Sequence, residues 1–307
     1  MTKLLAIVGP TASGKSDLAM SLSASLNGEI VSADSRQIYK FLDIGTSKPT
    51  AEDRKRIRHH FVDILNPTQD YSAGEFGNEA RKTIKDIAGR GKQPILVGGS
   101  GLYVRAVVDG FFGGPGRDPE VRDQLEARLK EEGAAALLNL LSKTDPTTAS
   151  RMELSKPRRI VRALEVYYIT GRPLSEFHRE QSTVLPFEVV QLGLEWGRAH
   201  LYDRINKRVD SMISAGLIEE VKHLQEQGYG RNLNALNTVG YKEVFDFLEG
   251  SSSYDEMIDL VKRNTRRFAK RQLTWFRSDE RIKWMKVDER IPVSTLTHDI
   301  VNEFMNR

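Results

Sequence analysis

The chain has 307 residues, with 46 Lys and Arg against 42 Asp and Glu, a formal net charge of +4, six histidines and no cysteine. That length can bury a large core in one elaborated domain or in two, and the missing thiols exclude disulfides, thiolate zinc sites and a cysteine nucleophile. No apolar run approaches the ~20 residues needed to span a bilayer, and the six histidines (His59, His60, His178, His200, His223, His298) lack ligand-like spacing.

Met1-Thr2-Lys3 leads into a core strand and not a signal peptide, so a cytoplasmic protein is expected. The apolar run Leu4-Leu5-Ala6-Ile7-Val8 then meets Gly9-Pro10-Thr11-Ala12-Ser13-Gly14-Lys15-Ser16, and a helical pattern follows from Asp17. A strand, a glycine-rich turn and a helix in that order form a phosphate cradle. The glycines let successive amide N–H groups point inward, Lys15 adds a mobile cation, and Ser16 offers a hydroxyl ligand to magnesium, the metal expected where only oxygen donors and substrate phosphates are available. All eight residues are therefore candidates for gripping a di- or triphosphate.

Further strands are predicted over 29–33, 60–65, 93–99 and 188–194, with a helix over 73–90 between the second and third of these. The alternation implies an α/β fold, a P-loop NTPase-like parallel sheet with helices on both faces. Ligands in such sheets lie beyond the carboxyl ends of the strands. Polar groups gather at three such ends: the phosphate loop, Asp34-Ser35-Arg36-Gln37, and Gly98-Gly99-Ser100-Gly101.

Between the glycine-rich stretch at 111–116 and the region of Pro186, the character changes to helices over 119–132, 134–141 and 157–170 without a strand. We read 117–182 as an all-helical insertion domain reached through a glycine-rich hinge, with 1–116 and 183–307 forming the catalytic core and its C-terminal helices. From His200 onward the chain is again largely helical, with breaks expected at Gly216, Gly228-Tyr229-Gly230 and Gly250-Ser251-Ser252-Ser253.

Basic residues cluster in Arg54-Lys55-Arg56-Ile57-Arg58-His59-His60, in Lys156-Pro157-Arg158-Arg159-Ile160-Val161-Arg162, and between Lys262 and Arg277. The last stretch holds seven cations (Lys262, Arg263, Arg266, Arg267, Lys270, Arg271, Arg277) and no acid. On a helical projection they occupy an arc of about 180°, with Val261, Phe268, Trp275 and Phe276 on the opposite side. A helix that docks by its aromatic face and offers unmixed cations on the other is expected to bind a polyanion.

Phosphate-loop proteins that transfer a phosphoryl group usually place an aspartate after an apolar strand to organise magnesium. The strand over 93–97 ends in Gly98-Gly99-Ser100 with no acid, which disfavours motor ATPases and GTPases. A small-metabolite kinase and a transferase acting on free adenine nucleotides both remain open on the local residues, as does a capping role for Asp34.

Four separated stretches resemble the bacterial tRNA dimethylallyltransferases, also called tRNA isopentenyltransferases. They are the loop from Gly9 to Ser16; Ser32-Ala33-Asp34-Ser35-Arg36-Gln37-Ile38-Tyr39 with its continuation through Asp43-Ile44-Gly45-Thr46-Ser47-Lys48-Pro49; Val97-Gly98-Gly99-Ser100-Gly101-Leu102-Tyr103; and Arg266-Arg267-Phe268-Ala269-Lys270-Arg271-Gln272-Leu273-Thr274-Trp275-Phe276-Arg277. The resemblance implies transfer of a dimethylallyl group from its diphosphate to the exocyclic N6 amine of the adenine 3′ of the anticodon, in tRNAs reading codons that begin with U. It implies Asp34 as the carboxylate that takes the amine's proton, and Lys15, Ser16-bound magnesium and Arg208 as groups that stabilise the departing diphosphate. Asp34, Ser35, Arg36, Gln37, Ser100, Arg158, Arg159, Arg162, Arg267, Lys270 and Arg271 are the implied contacts to the anticodon stem-loop of tRNA. Ser100 stands where many members carry threonine, keeping a hydroxyl. A monomer is expected, with no membrane partner.

Overall fold

The structure, a computed structural model, describes residues 2–110, 116, 118–180 and 187–306. The chain divides into two compact units, one formed by Met1–Val108 and Leu185–Arg307 and the other by Asp109–Val184.

The larger unit is built on a six-stranded, wholly parallel sheet. In chain order it runs β1 (Thr2–Val8), α1 (Lys15–Ser25), β2 (Gly28–Ser32), α2 (Ala51–Arg56), β3 (His59–His60), α3 (Ala73–Gly89), β4 (Gln93–Gly98) and α4 (Gly101–Val108). The order of strands across the sheet is β3-β2-β4-β1, and then two strands that follow the smaller unit in sequence, β5 (Phe187–Trp196) and β6 (Ile282–Val287). Because β1 is central, its residues are wholly buried from Leu4 to Val8, and the side chains alternate between faces. Leu5 and Ile7 join Leu18, Ala19 and Leu22 of α1 and the C-terminal helix α13 (Val293–Met305) in one core. The opposite face is covered by α3 and α4.

Between β5 and β6 the chain forms α9 (Arg198–Ser214), α10 (Leu217–Glu226), α11 (Tyr241–Leu248) and α12 (Tyr254–Arg277), the four earlier helices α5 (Pro119–Thr144), α6 (Pro146–Ala149), α7 (Pro157–Thr170) and α8 (Leu174–Glu180) belonging to the smaller unit. The breaks expected at Gly216, Gly228 and Gly250 are all present, each glycine at positive φ. No helix among the described residues is long and apolar enough to cross a membrane.

One expectation needs correction. The strand predicted over 60–65 shrinks to His59–His60, because Phe61 and Asp63 take positive φ and the chain turns to aim the Asp63 carboxylate at Lys48 and Arg54. The final third is largely helical as expected, but it also holds a strand that was not predicted, Ile282–Val287, paired with β5 in parallel register.

The smaller unit contains α5 (Pro119–Thr144), α6 (Pro146–Ala149), α7 (Pro157–Thr170) and α8 (Leu174–Glu180) around Leu125, Leu137, Leu141, Ile160, Leu164 and Leu174. Gly133, at φ 81°, kinks α5 at the boundary expected between its two halves. The glycine-rich hinge proposed at 111–116 lies outside the described residues except for Gly116, and so does Pro186.

Candidate active site

Strands β2, β4 and β1 are neighbours, so the three polar loops that follow them meet at one edge of the sheet. The loop after β1 curls as a phosphate cradle must: Gly9 (φ 146°), Ala12 (φ 62°) and Gly14 (φ 86°) all leave the ordinary backbone regions, and α1 starts at Lys15. The loop is braced from outside. Arg204 donates through Nε to the Ala12 carbonyl at 2.9 Å while its guanidinium lies 4.4 Å from the centre of the Trp196 ring, and Trp196 Nε1 donates to the Ser13 carbonyl at 3.0 Å. Leu201 and Ile205 of α9 and Ala269 of α12 form the apolar floor beneath.

Lys15 folds back to donate to the Pro10 carbonyl at 2.5 Å. Burial, followed by the charge of Arg208, pulls its pKa down from 10.5 to about 7, with Asp34 acting in the opposite sense. Arg208, on α9, is likewise lowered by burial and supported by Asp34, and its Nη2 donates to the Thr46 carbonyl at 3.3 Å. Two cations thus share the electrostatic field of one carboxylate. Ser16 lies exposed in the first turn of α1.

Asp34 closes the turn that follows β2. Its Oδ1 accepts the backbone N–H of Arg36 at 2.8 Å and of Gln37 at 3.3 Å, the capping role that its sequence position also allowed. Oδ2 has no hydrogen-bond partner among the described residues and stays available. The adjoining Ser35 N–H is held by Ser100 Oγ at 3.0 Å, which ties the loop after β2 to the loop after β4.

The other predicted contact residues divide sharply. Arg36 spends its guanidinium on the Asn234 carbonyl at 2.6 Å, and Gln37 donates to the carbonyls of Thr46 and Ser47 at 3.2 and 3.1 Å. Both side chains therefore shape the pocket's walls. On α12, Lys262 pairs with Asp210, Arg266 bonds Asn206 and Arg277 pairs with Glu195, whereas Arg263, Arg267, Lys270 and Arg271 are exposed. In the smaller unit Arg158 and Arg159 are exposed, and neither makes an ion pair among the described residues. Arg162 is committed to the fully buried Glu165 at 2.9 Å, alongside Arg122.

The docking face of α12 also differs from expectation. Phe268 and Trp275 are each 38% exposed, and the buried stripe is Met257, Val261, Ala269, Gln272 and Phe276. The face is rotated because what it meets includes polar loop backbone: Gln272 accepts the Thr11 N–H at 2.8 Å and donates to the Gly99 carbonyl at 2.9 Å.

Glu220, which the sequence reading did not single out, organises the remaining wall. Glu220 of α10 accepts the backbone N–H groups of Asp43, Ile44 and Gly45 at 2.9, 2.7 and 3.2 Å, and the buried Tyr241 hydroxyl at 2.6 Å. Buried Lys48 ties the same loop to Asp43 and Asp63. Thr46, whose carbonyl receives both Arg208 and Gln37, sits inside this cage. The run Asp43–Pro49 is notable in the sequence only for its resemblance, and Glu220, which holds its backbone, lies 175 to 177 residues away.

Among the described residues no group of three or more His, Asp or Glu could hold a metal ion. A divalent cation would have to be bound chiefly by substrate phosphates, with a hydroxyl such as that of Ser16 as the protein ligand.

Comparison with known proteins shows the family. A family model described as IPP transferase matches residues 37–279. The chain is 48% identical to a tRNA dimethylallyltransferase of Carboxydothermus hydrogenoformans, covering 99% of each chain, and 48% identical to that of Geobacter sulfurreducens, covering 93% of this chain and 92% of the relative. Among solved structures it resembles a full-length tRNA isopentenylpyrophosphate transferase of Bacillus halodurans (41% identity, TM-score 0.73, 100% of this chain and 98% of the other). It also resembles a eukaryotic dimethylallyltransferase described as acting on tRNA (28% identity, TM-score 0.83, 100% of this chain and 80% of the other).

Proposed function

Because this chain belongs to the IPP transferase family, we infer that it is a tRNA dimethylallyltransferase, a prenyltransferase that releases diphosphate. Its substrates are read as dimethylallyl diphosphate and the exocyclic N6 amine of the adenine 3′ of the anticodon, in tRNAs reading codons that begin with U. The observation that carries this reading is the pairing of an anion cradle with a carboxylate: Lys15 and Arg208 stand within the electrostatic reach of Asp34, whose Oδ2 is uncommitted.

Each residue then has a task. An adenine amine is a poor nucleophile because its lone pair is delocalised into the ring, so Asp34 Oδ2 accepts its proton as the C–N bond forms. On the opposite side the C–O bond to diphosphate breaks and negative charge grows on the leaving group. The loop's N–H groups other than that of Thr11, which Gln272 takes, together with the N-terminus of α1, Lys15 and Arg208 stabilise that charge most at the transition state. Magnesium bound through Ser16 and the phosphate oxygens would neutralise part of the same charge. The phosphate loop thus serves a leaving group, and no phosphoryl transfer is required.

The target adenine has to leave its stack to reach Asp34. Exposed Arg267, Lys270 and Arg271 on α12, and exposed Arg158 and Arg159 in the smaller unit, suit the phosphate backbone of the anticodon stem-loop. We assign the enzyme to the cytoplasm and treat it as a monomer. The test is incubation with labelled dimethylallyl diphosphate, magnesium and unmodified tRNA, which should label the RNA. Label passing only to AMP would support the free-nucleotide reading, and ATP-dependent phosphorylation of a metabolite without prenyl transfer would support a kinase.

A further inference from the structure

We propose that Gln272 is a positioning residue that sets the separation between the diphosphate cradle and the proton acceptor, and thereby decides whether the departing hydrocarbon is captured by the nucleobase or by water. The proposal rests on the prenyl-transfer reading above and adds to it the fate of the activated allyl group.

Direct pairing between β1 and β4 ends at Val8 and Gly98. Past that register the two loops separate, and their main chains no longer bond each other in the sheet pattern. Gln272 supplies the next rung from a third element. Its Oε1 accepts the N–H of Thr11, the third residue of the phosphate loop, and its Nε2 donates to the carbonyl of Gly99. Only a side chain with both an acceptor and a donor, of this length, can meet both groups. The fit is close: a Cβ added at Gly99 would stand 2.3 Å from Gln272 Nε2. One helical turn on, Trp275 closes against the same loop, since a Cβ at Gly101 would lie 2.1 Å from its ring.

The rung is continued toward the carboxylate. Ser100, next to Gly99, holds the N–H of Ser35, and Ser35 follows Asp34. Two side chains, Gln272 and Ser100, therefore join the loops after β1, β4 and β2 into one unit, with the leaving group at one end and the base at the other. Both ends of the Gln272 amide are committed to protein backbone, so it acts through Thr11 and Gly99.

In the aligned site the C–O bond of the allylic diphosphate breaks with its electron pair going to diphosphate, the N6 lone pair forms the C–N bond, and the amine proton passes to Asp34. If the two ends drift apart, the same C–O cleavage is followed by C–O bond formation with water, whose proton goes to solvent. The product is then dimethylallyl alcohol. No oxidant, reductant or further reactant is involved.

The experiment compares the wild-type protein with Gln272→Leu and Gly99→Ala. The second variant keeps the glutamine but drives its amide away with a new Cβ, so the two disturb one bond pair from opposite sides. Labelled dimethylallyl diphosphate, magnesium and unmodified tRNA are supplied, and prenylated RNA and dimethylallyl alcohol are counted separately; affinity for inorganic diphosphate is measured alongside. Transfer to RNA should fall on the order of 100-fold, as a misplacement near 1 Å does, while alcohol becomes the larger product and diphosphate affinity stays within about threefold. A merely structural role would lower both products together. An unchanged product ratio in a folded variant of either kind overturns the proposal. A wild-type protein that prenylates no RNA would instead count against the functional reading on which it rests.

Discussion

Lys15 should take up a proton when the cradle is filled. With its pKa near 7, held down chiefly by burial and then by Arg208, about a quarter of the molecules carry the ammonium at pH 7.5 and about 3% at pH 8.5 before ligand binds. A bound diphosphate adds several negative charges beside the amine and returns its pKa toward or above the ordinary 10.5. Binding must then recover the missing proton from solvent, about 0.75 per event at pH 7.5 and nearly one at pH 8.5. The affinity should fall about eightfold between these two values, or ~1.2 kcal/mol. An alkyl diphosphate completes its own ionisation near pH 6, below this window, so its titration contributes little. Calorimetry of alkyl diphosphate binding in buffers of different ionisation enthalpy reads the proton count directly. Lys15→Met should abolish both the uptake and the pH slope. Absence of uptake in the wild-type protein, or its survival in that variant, would refute the reasoning. The shift also carries a sign for stability. Because the folded pKa is depressed, the unfolded chain holds the proton between about pH 7 and 10.5, and the folded protein gains stability as pH rises through that range.

Three further outcomes follow from the same geometry. Asp34→Ala should lower turnover by about two orders of magnitude or more while tRNA binding is retained; single-turnover rates alongside a gel-shift titration separate the two, and undiminished turnover would remove Asp34 from its role. Replacing Arg267, Lys270 and Arg271 together by Gln should weaken tRNA binding and reduce the slope of log affinity against log salt by about 2 to 3; an identical slope would make that face ordinary surface. Far from the site, the buried Glu29 is held by Arg90, Lys92 and His60, and the Arg90 hydrogen bonds above all keep its carboxyl well below the usual range. Its contribution is present above the unfolded value near 4.5 and is lost as pH falls below it, and Glu29→Gln should cost ~3–5 kcal/mol at neutral pH, measured by denaturant unfolding; a loss under 1 kcal/mol would show that the cations rearrange.

The cradle was legible because its chemistry is local. Gly9, Gly14 and Lys15 mark the turn within eight consecutive residues, although Arg204, Trp196 and Gln272 brace it from outside, and β1, β2, β4 and β5 announce themselves as apolar runs between turn residues. The errors arose where distant partners outvote local pattern. Phe61-Val62-Asp63-Ile64-Leu65 has the composition of a strand, yet Lys48 and Arg54 claim the Asp63 carboxylate and the chain bends to deliver it. Ile282–Val287 is an edge strand with lysines at its exposed positions, and its identity comes from pairing with β5, which lies almost a hundred residues earlier.

The displaced face of α12 exposes the general reason. A hydrophobic periodicity counts phenylalanine and tryptophan as inward and glutamine as outward, which is sound for a helix lying on an apolar core. The partner here includes two loops that have left the sheet with main-chain N–H and C=O groups to satisfy. Under that condition a polar side chain is the better filling, and Gln272 is 7% exposed while Phe268, only four residues away, remains partly in solvent. The same logic applies to Arg36 and Gln37, whose side chains serve the carbonyls of Asn234, Thr46 and Ser47. Residues of the aspartate-serine-arginine-glutamine run thus divide the labour: Asp34 keeps one oxygen open, and its neighbours spend their donors holding the surrounding loops. A motif of this kind reports a backbone that must be immobilised as much as a substrate that must be touched, and Arg36→Ala should disturb the site through the loop at 234–235 even with tRNA absent.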